Sequence, residues 1–162
     1  MNEDYKVFTT VKDEVTFRYP DYWMHEVENN MTYVFYEEYL GSFRLTPRTM
    51  DPALFEIEEY LDKEFVKKAE FDAIWKTING RKFLYYEGDW ASGKKVYRIH
   101  HFVTGYKNIL LNCSFAYDTA LLTEEIGSIE IKKELAGAES ALATLQFKGE
   151  PKKKVAAKKP KE

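Results

Sequence analysis

Alternation of apolar and polar positions is densest between Phe71 and Tyr117. It predicts four consecutive strands: Phe71–Ile78, Arg81–Trp90, Lys95–Thr104 and Lys107–Tyr117. Asn79-Gly80 separates the first two, Ser92-Gly93 the next and Gly105-Tyr106 the last. Asn-Gly is the strongest of these signals, because both central residues of a type I′ turn need positive φ and these two tolerate it. The run therefore reads as an antiparallel meander. Its last strand sets Ile109, Leu111, Cys113, Phe115 and Tyr117 on one face and Leu110, Asn112, Ser114 and Ala116 on the other. Arg81–Trp90 is apolar on both sides, which predicts a central strand covered twice.

The flanks add shorter elements. Asn2–Thr10 reads as a polar lead, and Val15–Tyr19 as a strand ended by Pro20, which cannot donate to a ladder. Trp23 is expected to plug the sheet edge. Met24–Glu28 and Met31–Glu37 form a hairpin at Asn29-Asn30, with Met31, Tyr33 and Phe35 on one side, and Ser42–Thr46 turns Phe43 and Leu45 inward. Asp51-Pro52 starts a helix that carries Leu54, Ile57, Leu61 and Phe65 on one stripe. After Asp118 there are two helical stripes, Leu122/Ile126/Ile129 and Ile131/Leu135/Ala138/Leu142, set about half a turn apart. One straight helix cannot bury both, so a break is expected near Gly127-Ser128, with Ser128 as the new N-cap. Thr144–Phe147 closes the domain as a short strand.

Composition bounds this picture. A chain of 162 residues makes one domain, expected over residues 1–147. Its 12 Tyr, 11 Phe and 3 Trp favour pleated, half-buried surfaces. The single cysteine, Cys113, excludes an intrachain disulfide. The polar N-terminus shows no signal-peptide pattern and no apolar run approaches a membrane span, so a cytoplasmic protein is expected. Residues 148–162 hold seven Lys and two Glu, hence +5, which leaves 17 basic against 25 acidic side chains and −8 on the body. An acidic body argues against a globular nucleic-acid-binding surface. The lysine-rich end has almost nothing to bury and reads as a disordered tail.

The order of elements carries a resemblance. Phe17-Arg18-Tyr19-Pro20-Asp21-Tyr22-Trp23 enters, a hairpin and Ser42-Phe43-Arg44-Leu45 follow, then helix, meander and a helix running into Ala143-Thr144-Leu145-Gln146-Phe147. From about Val11 to Lys148 this resembles the Mog/PsbP-like domains, and uncharacterised bacterial families among them. The resemblance implies an α+β fold: an α/β/α sandwich with a central antiparallel sheet. It also implies a non-catalytic binding module with a protein partner, in an accessory or immunity-type bacterial role. No functional residue carries over from it.

Candidate chemistry is sparse. His100-His101 invites a metal reading, but neighbours in a strand point to opposite faces and His25 is distant in sequence, so no metal site is expected. Cys113 alternates with Leu111 and Phe115 and reads as an inert packed thiol. No nucleophile elbow, phosphate loop or dinucleotide fingerprint is present, so no catalytic residue, no cofactor and no enzyme activity are expected. One constellation is less bland: Arg98, His100, Asn112 and Ser114 are expected together on one face of the sheet. Either that face is partly open to a ligand or partner, or the groups form a satisfied network under a helix. The alternative function uses the tail, where Lys152, Lys153, Lys154, Lys158 and Lys159 would contact nucleic-acid phosphates without sequence preference.

Overall fold

A computed structural model describes residues 4–29, 31–37 and 41–152. Two sheets form. The larger is antiparallel, in the order β3 (Met24–Glu28), β4 (Thr32–Tyr36), β5 (Gly41–Thr49), β9 (Ile109–Asp118), β8 (Lys95–Tyr106), β7 (Arg81–Ser92), β6 (Ile74–Ile78). The smaller joins β1 (Tyr5–Thr9), β2 (Val15–Pro20) and β10 (Gln146–Phe147), with β2 in the middle. Helix α1 (Ile57–Lys67) covers one face of the large sheet, and α2 (Glu125–Leu142) with the small sheet covers the other. The layers form the expected α/β/α sandwich around a central antiparallel sheet.

Strand alternation produces two cores. Phe43, Leu45, Phe83, Phe102, Leu111, Cys113 and Phe115 point toward α2 and meet Ile131, Ala138 and Leu142, with Phe17 and Phe35. On the opposite face α1 places Ile57 and Leu61 on Leu84, Val103 and Leu110, with half-buried Phe65, Trp75 and Tyr86 at the margin. The second core is therefore much smaller. It reaches only part of its face of the sheet. Trp23 is buried against Tyr19, Phe35 and Phe43, the place expected of it.

The meander follows the predicted order with local shifts. Asn79 and Gly80, at φ 50° and 81°, make the expected turn. The other two turns fall at Gly93-Lys94 and Lys107-Asn108, because β7 runs on to Ser92 and β8 to Tyr106. The central strand is β9, paired with β5 and β8, whereas β7 lies one strand from the edge. The polar lead is a strand, because Phe8 packs on Phe17, Tyr33 and Phe35.

The helix starts also differ. Asp51-Pro52 forms a turn, and α1 begins after Glu56, whose carboxylate accepts from the Glu58 and Glu59 amides; Leu54 stays exposed. The break expected near Gly127-Ser128 lies at Glu124 instead, and α2 runs unbroken through Ser128. Ile126 and Ile129 are left exposed.

The expected tail begins later than Lys148. The Lys148 amide donates to the Glu14 carbonyl at 2.8 Å, and the Glu150 carboxylate accepts from Arg81 Nη2 at 2.7 Å and from the Phe147 amide at 3.0 Å. These contacts tie residues 148–150 to Glu14 before β2, to Arg81 of β7 and to β10. Residues 153–162 lie outside the described residues.

Candidate functional site

The β8–β9 register divides the expected constellation. Arg98 lies opposite Tyr117 and His100 opposite Phe115, while His101 faces Ser114 and Val103 faces Asn112. Arg98 and His100 therefore stand on the α2 side, and Asn112 and Ser114 on the α1 side. The four do not form one site. The expectation placed them together by counting along each strand separately; a register one residue away exchanges the faces.

The α2-side pair belongs to two satisfied networks. His100 is buried between two tyrosines, with Nδ1 at 2.7 Å from Tyr85 Oη and Nε2 at 3.1 Å from Tyr117 Oη. Tyr85 Oη donates to Glu87 at 2.8 Å. A neutral imidazole then completes the chain: Nδ1–H donates to Tyr85, and Nε2 accepts from Tyr117. Burial, above all, depresses the His100 pKa, with Glu87 opposing, so the neutral ring this chain needs is the favoured one. Burial raises the Tyr85 and Tyr117 hydroxyls. Arg98 meets Asp89 through both carboxylate oxygens, at 2.9 and 3.2 Å, and that pairing lowers the Asp89 pKa and raises that of Arg98. These groups spend their hydrogen-bonding capacity on one another.

His101 is held separately, stacked on Tyr86 with ring centroids 4.4 Å apart; burial lowers its pKa to about 4. The two histidines point to opposite faces, as expected. Cys113 is fully buried and burial drives its thiol pKa far up. Among the described residues, no three of His, Cys, Asp and Glu converge as metal ligands.

The α1 side holds the open ground. Beyond the reach of α1 lies a groove of about 740 Å³, with Ile99, Ser114 and Ala116 on its floor and Arg44, Trp90 and Tyr97 around it. Ser114 lines it, whereas Asn112 sits farther along the same face between Thr46 and Val103. Trp90 and Tyr97 stack at 5.8 Å, and Trp90 remains 58% exposed, although its strand was expected to be covered on both sides. On the other flank Arg44 meets both Glu28 carboxylate oxygens at 3.1 and 3.0 Å, which holds the Glu28 pKa below its usual value. The groove thus has a mixed floor, an aromatic wall and a charged rim. Sequence reading missed Trp90, Tyr97, Ile99 and Arg44. The available signal was Trp90 and Tyr97 bracketing one hairpin, on a face that a short helix cannot span.

Lys152 is exposed, and Lys153, Lys154, Lys158 and Lys159 lie outside the described residues. No helix among the described residues is long and apolar enough to cross a membrane.

A family model described as a domain of unknown function, DUF3805, matches residues 3–157. No curated protein matches the chain. A crystal structure from Bacteroides thetaiotaomicron aligns with TM-score 0.66 at 19% identity, over 91% of this chain and 49% of that one. The chain thus spans about half the length of that protein. The solution structure of cyanobacterial PsbP from Synechocystis aligns with TM-score 0.56 at 13% identity, over 91% and 94% of the two chains. The yeast Ran-binding protein Mog1p aligns with TM-score 0.48 at 12% identity, over 90% and 96%. The first two likenesses show the fold, and none of the three supports the nucleic-acid reading of the lysines.

Proposed function

We propose, for a chain that belongs to the DUF3805 family of domains of unknown function, a non-enzymatic binding module whose partner is another protein. One observation carries this reading. Part of a sheet face lies beyond α1, and exposed Trp90 with half-buried Tyr97 and Ile99 line a groove there. Aromatic side chains contribute large contact area at small entropic cost, which is why they recur at the centres of interfaces. Catalysis would need an activated group near this groove. Arg44 is engaged by Glu28, and His100 is on the other side of the sheet, engaged by its tyrosines.

An accessory role in a bacterial cell and action in the cytoplasm belong to the same proposal. A lone buried thiol suits a reducing compartment.

The test is capture of a partner by the full chain, reconstitution of the complex from purified components, and comparison with Tyr97→Ala/Ile99→Asp. Interface anchors of this kind carry about 2 kcal/mol or more each, so the double variant should bind at least about several hundred-fold more weakly with an unchanged circular dichroism spectrum. Equal affinity in a folded variant removes the groove from the interface.

A further inference from the structure

The large sheet has a step in one edge. Strand β6 pairs with β7 from Ile74↔Tyr85 to Ile78↔Arg81, whereas β7 pairs with β8 through to Ser92↔Lys95. Upstream of β6 the chain turns away through Asp72, at φ 57°, into the 3-10 turn Lys68–Phe71. Residues 86–92 of β7 thus have a neighbour on one side only among the described residues.

The hairpin turns decide which backbone groups face the gap. A two-residue turn is flanked by a hydrogen-bonded pair, and hydrogen-bonded and non-bonded pairs then alternate. From Asn79-Gly80, residues 81, 83 and 85 direct their N–H and C=O toward β6. From Gly93-Lys94, residues 92, 90 and 88 direct theirs toward β8. The two counts agree. Glu87, Asp89 and Ala91 therefore turn three N–H and three C=O groups outward where β6 has ended.

The surroundings specify what could lie there. A cleft of about 640 Å³ occupies the step, with Glu70, Asp72, Glu87 and Asp89 among its lining residues and Arg98 as its one cation, already bound by Asp89. A second copy of this edge would set Glu87 and Asp89 against their own kind, and like charges opposed across strands are destabilising. On the other face of the strand, Tyr86 and Trp90 flank Gly88, where a Cβ would meet nothing within 4 Å. A side chain from an adjoining strand has room there between two rings.

We infer that this edge is a docking site for an extended segment of a partner protein, alternating basic and apolar residues, which joins the sheet in line with β6. Its backbone would pair with Glu87, Asp89 and Ala91. Its basic side chains would face Glu87 and Asp89, and its apolar ones would enter the gap over Gly88. Strand addition of this type takes affinity from the main chain and selectivity from alternate side chains. The inference rests on the binding-module reading for its biological sense but uses a different surface, with only Trp90 bordering both. Either can fail alone.

The test uses the full chain and two capped octapeptides, one alternating Lys and Val and one alternating Glu and Val, with residue-resolved amide exchange as the readout. The lysine peptide should slow exchange at Glu87, Asp89 and Ala91 and bind at least about ten-fold more tightly than the glutamate peptide. Ala91→Pro replaces an outward N–H without removing a bond to β8, a position where edge strands accept proline. It should weaken the lysine peptide about ten-fold with thermal stability retained. Glu70→Lys/Glu87→Lys, which leaves the backbone untouched, should reverse the peptide preference. Absence of protection at millimolar lysine peptide, equal binding of the two peptides, or binding indifferent to both variants would overturn the inference. So would protection that grows with protein concentration and needs no peptide, which would assign the edge to a second copy.

Discussion

Single residues here are decided by which atoms are left without partners. Glu134 of α2 is buried; Oε1 accepts from the Gly41 amide at 3.0 Å, while Oε2 has no partner among the described residues. Burial pushes its pKa up to about 7, against the Gly41 hydrogen bond and with help from Glu37 and Glu130. Between the ordinary carboxyl value and about 7, the folded protein holds a proton that the unfolded chain has released. Stability therefore falls as pH rises through that window and levels off above it. Glu134→Gln, uncharged throughout, should flatten this limb and exceed the native protein above neutrality by on the order of 2 kcal/mol. Urea unfolding at pH 4.5 and pH 8 measures the difference; a parallel pair of profiles would contradict it. The same reasoning explains why His100 carried so little functional promise once its neighbours were placed. A histidine between two tyrosine hydroxyls is an accounted-for group, and no reading of one strand could supply the second tyrosine.

At the scale of elements, close approach and anchoring decide stability. Gly105 of β8 lies directly under α1: a Cβ there would collide with the Ile109 carbonyl oxygen and sit 2.5 Å from Ile57 Cδ1. Gly105→Ala should cost about 2 kcal/mol and displace α1, whereas Gly88→Ala, with open space above it, should stay within about 0.5 kcal/mol. Chemical denaturation of the two variants side by side gives the contrast. At the chain's other anchored end, Arg81 and Glu150 are 9% and 14% exposed in their side chains. Glu150→Ala strands the guanidinium over the Phe147 ring and should cost about 3 kcal/mol, measured by the same method. Much of the element plan was legible: the meander, the strand at Val15 and the closing strand follow from period-two alternation and turn residues. Helix starts were less legible. Asp51-Pro52 has the right chemistry for a cap, yet the surface that would bury Leu54 is absent. The break falls at Glu124 rather than at Gly127-Ser128, because glycine at 127 permits contact with the Leu121 carbonyl oxygen inside a continuous helix.

For the whole molecule, sequence periodicity reports that a residue faces inward but not what covers it. It assigned Asn112 and Ser114 to one face correctly and Arg98 and His100 to one face correctly, and could not set the two strands in register. The part of the face beyond α1 escaped for a related reason. Whether α1 reaches Ile99 depends on an eleven-residue helix being shorter than the sheet is wide. The smallest strand has a consequence in time. Thr144 Oγ1 accepts from the Arg18 amide across a separation of 126 residues, and Gln146 and Phe147 pair with Thr16 and Val15. Loop closure over such a span is entropically costly and is formed late. During synthesis, the hairpin of β1 and β2 must wait for nearly all of the domain before its second edge is filled. Until then β2 carries an unpaired ladder beside Phe17, a template that another nascent chain could extend.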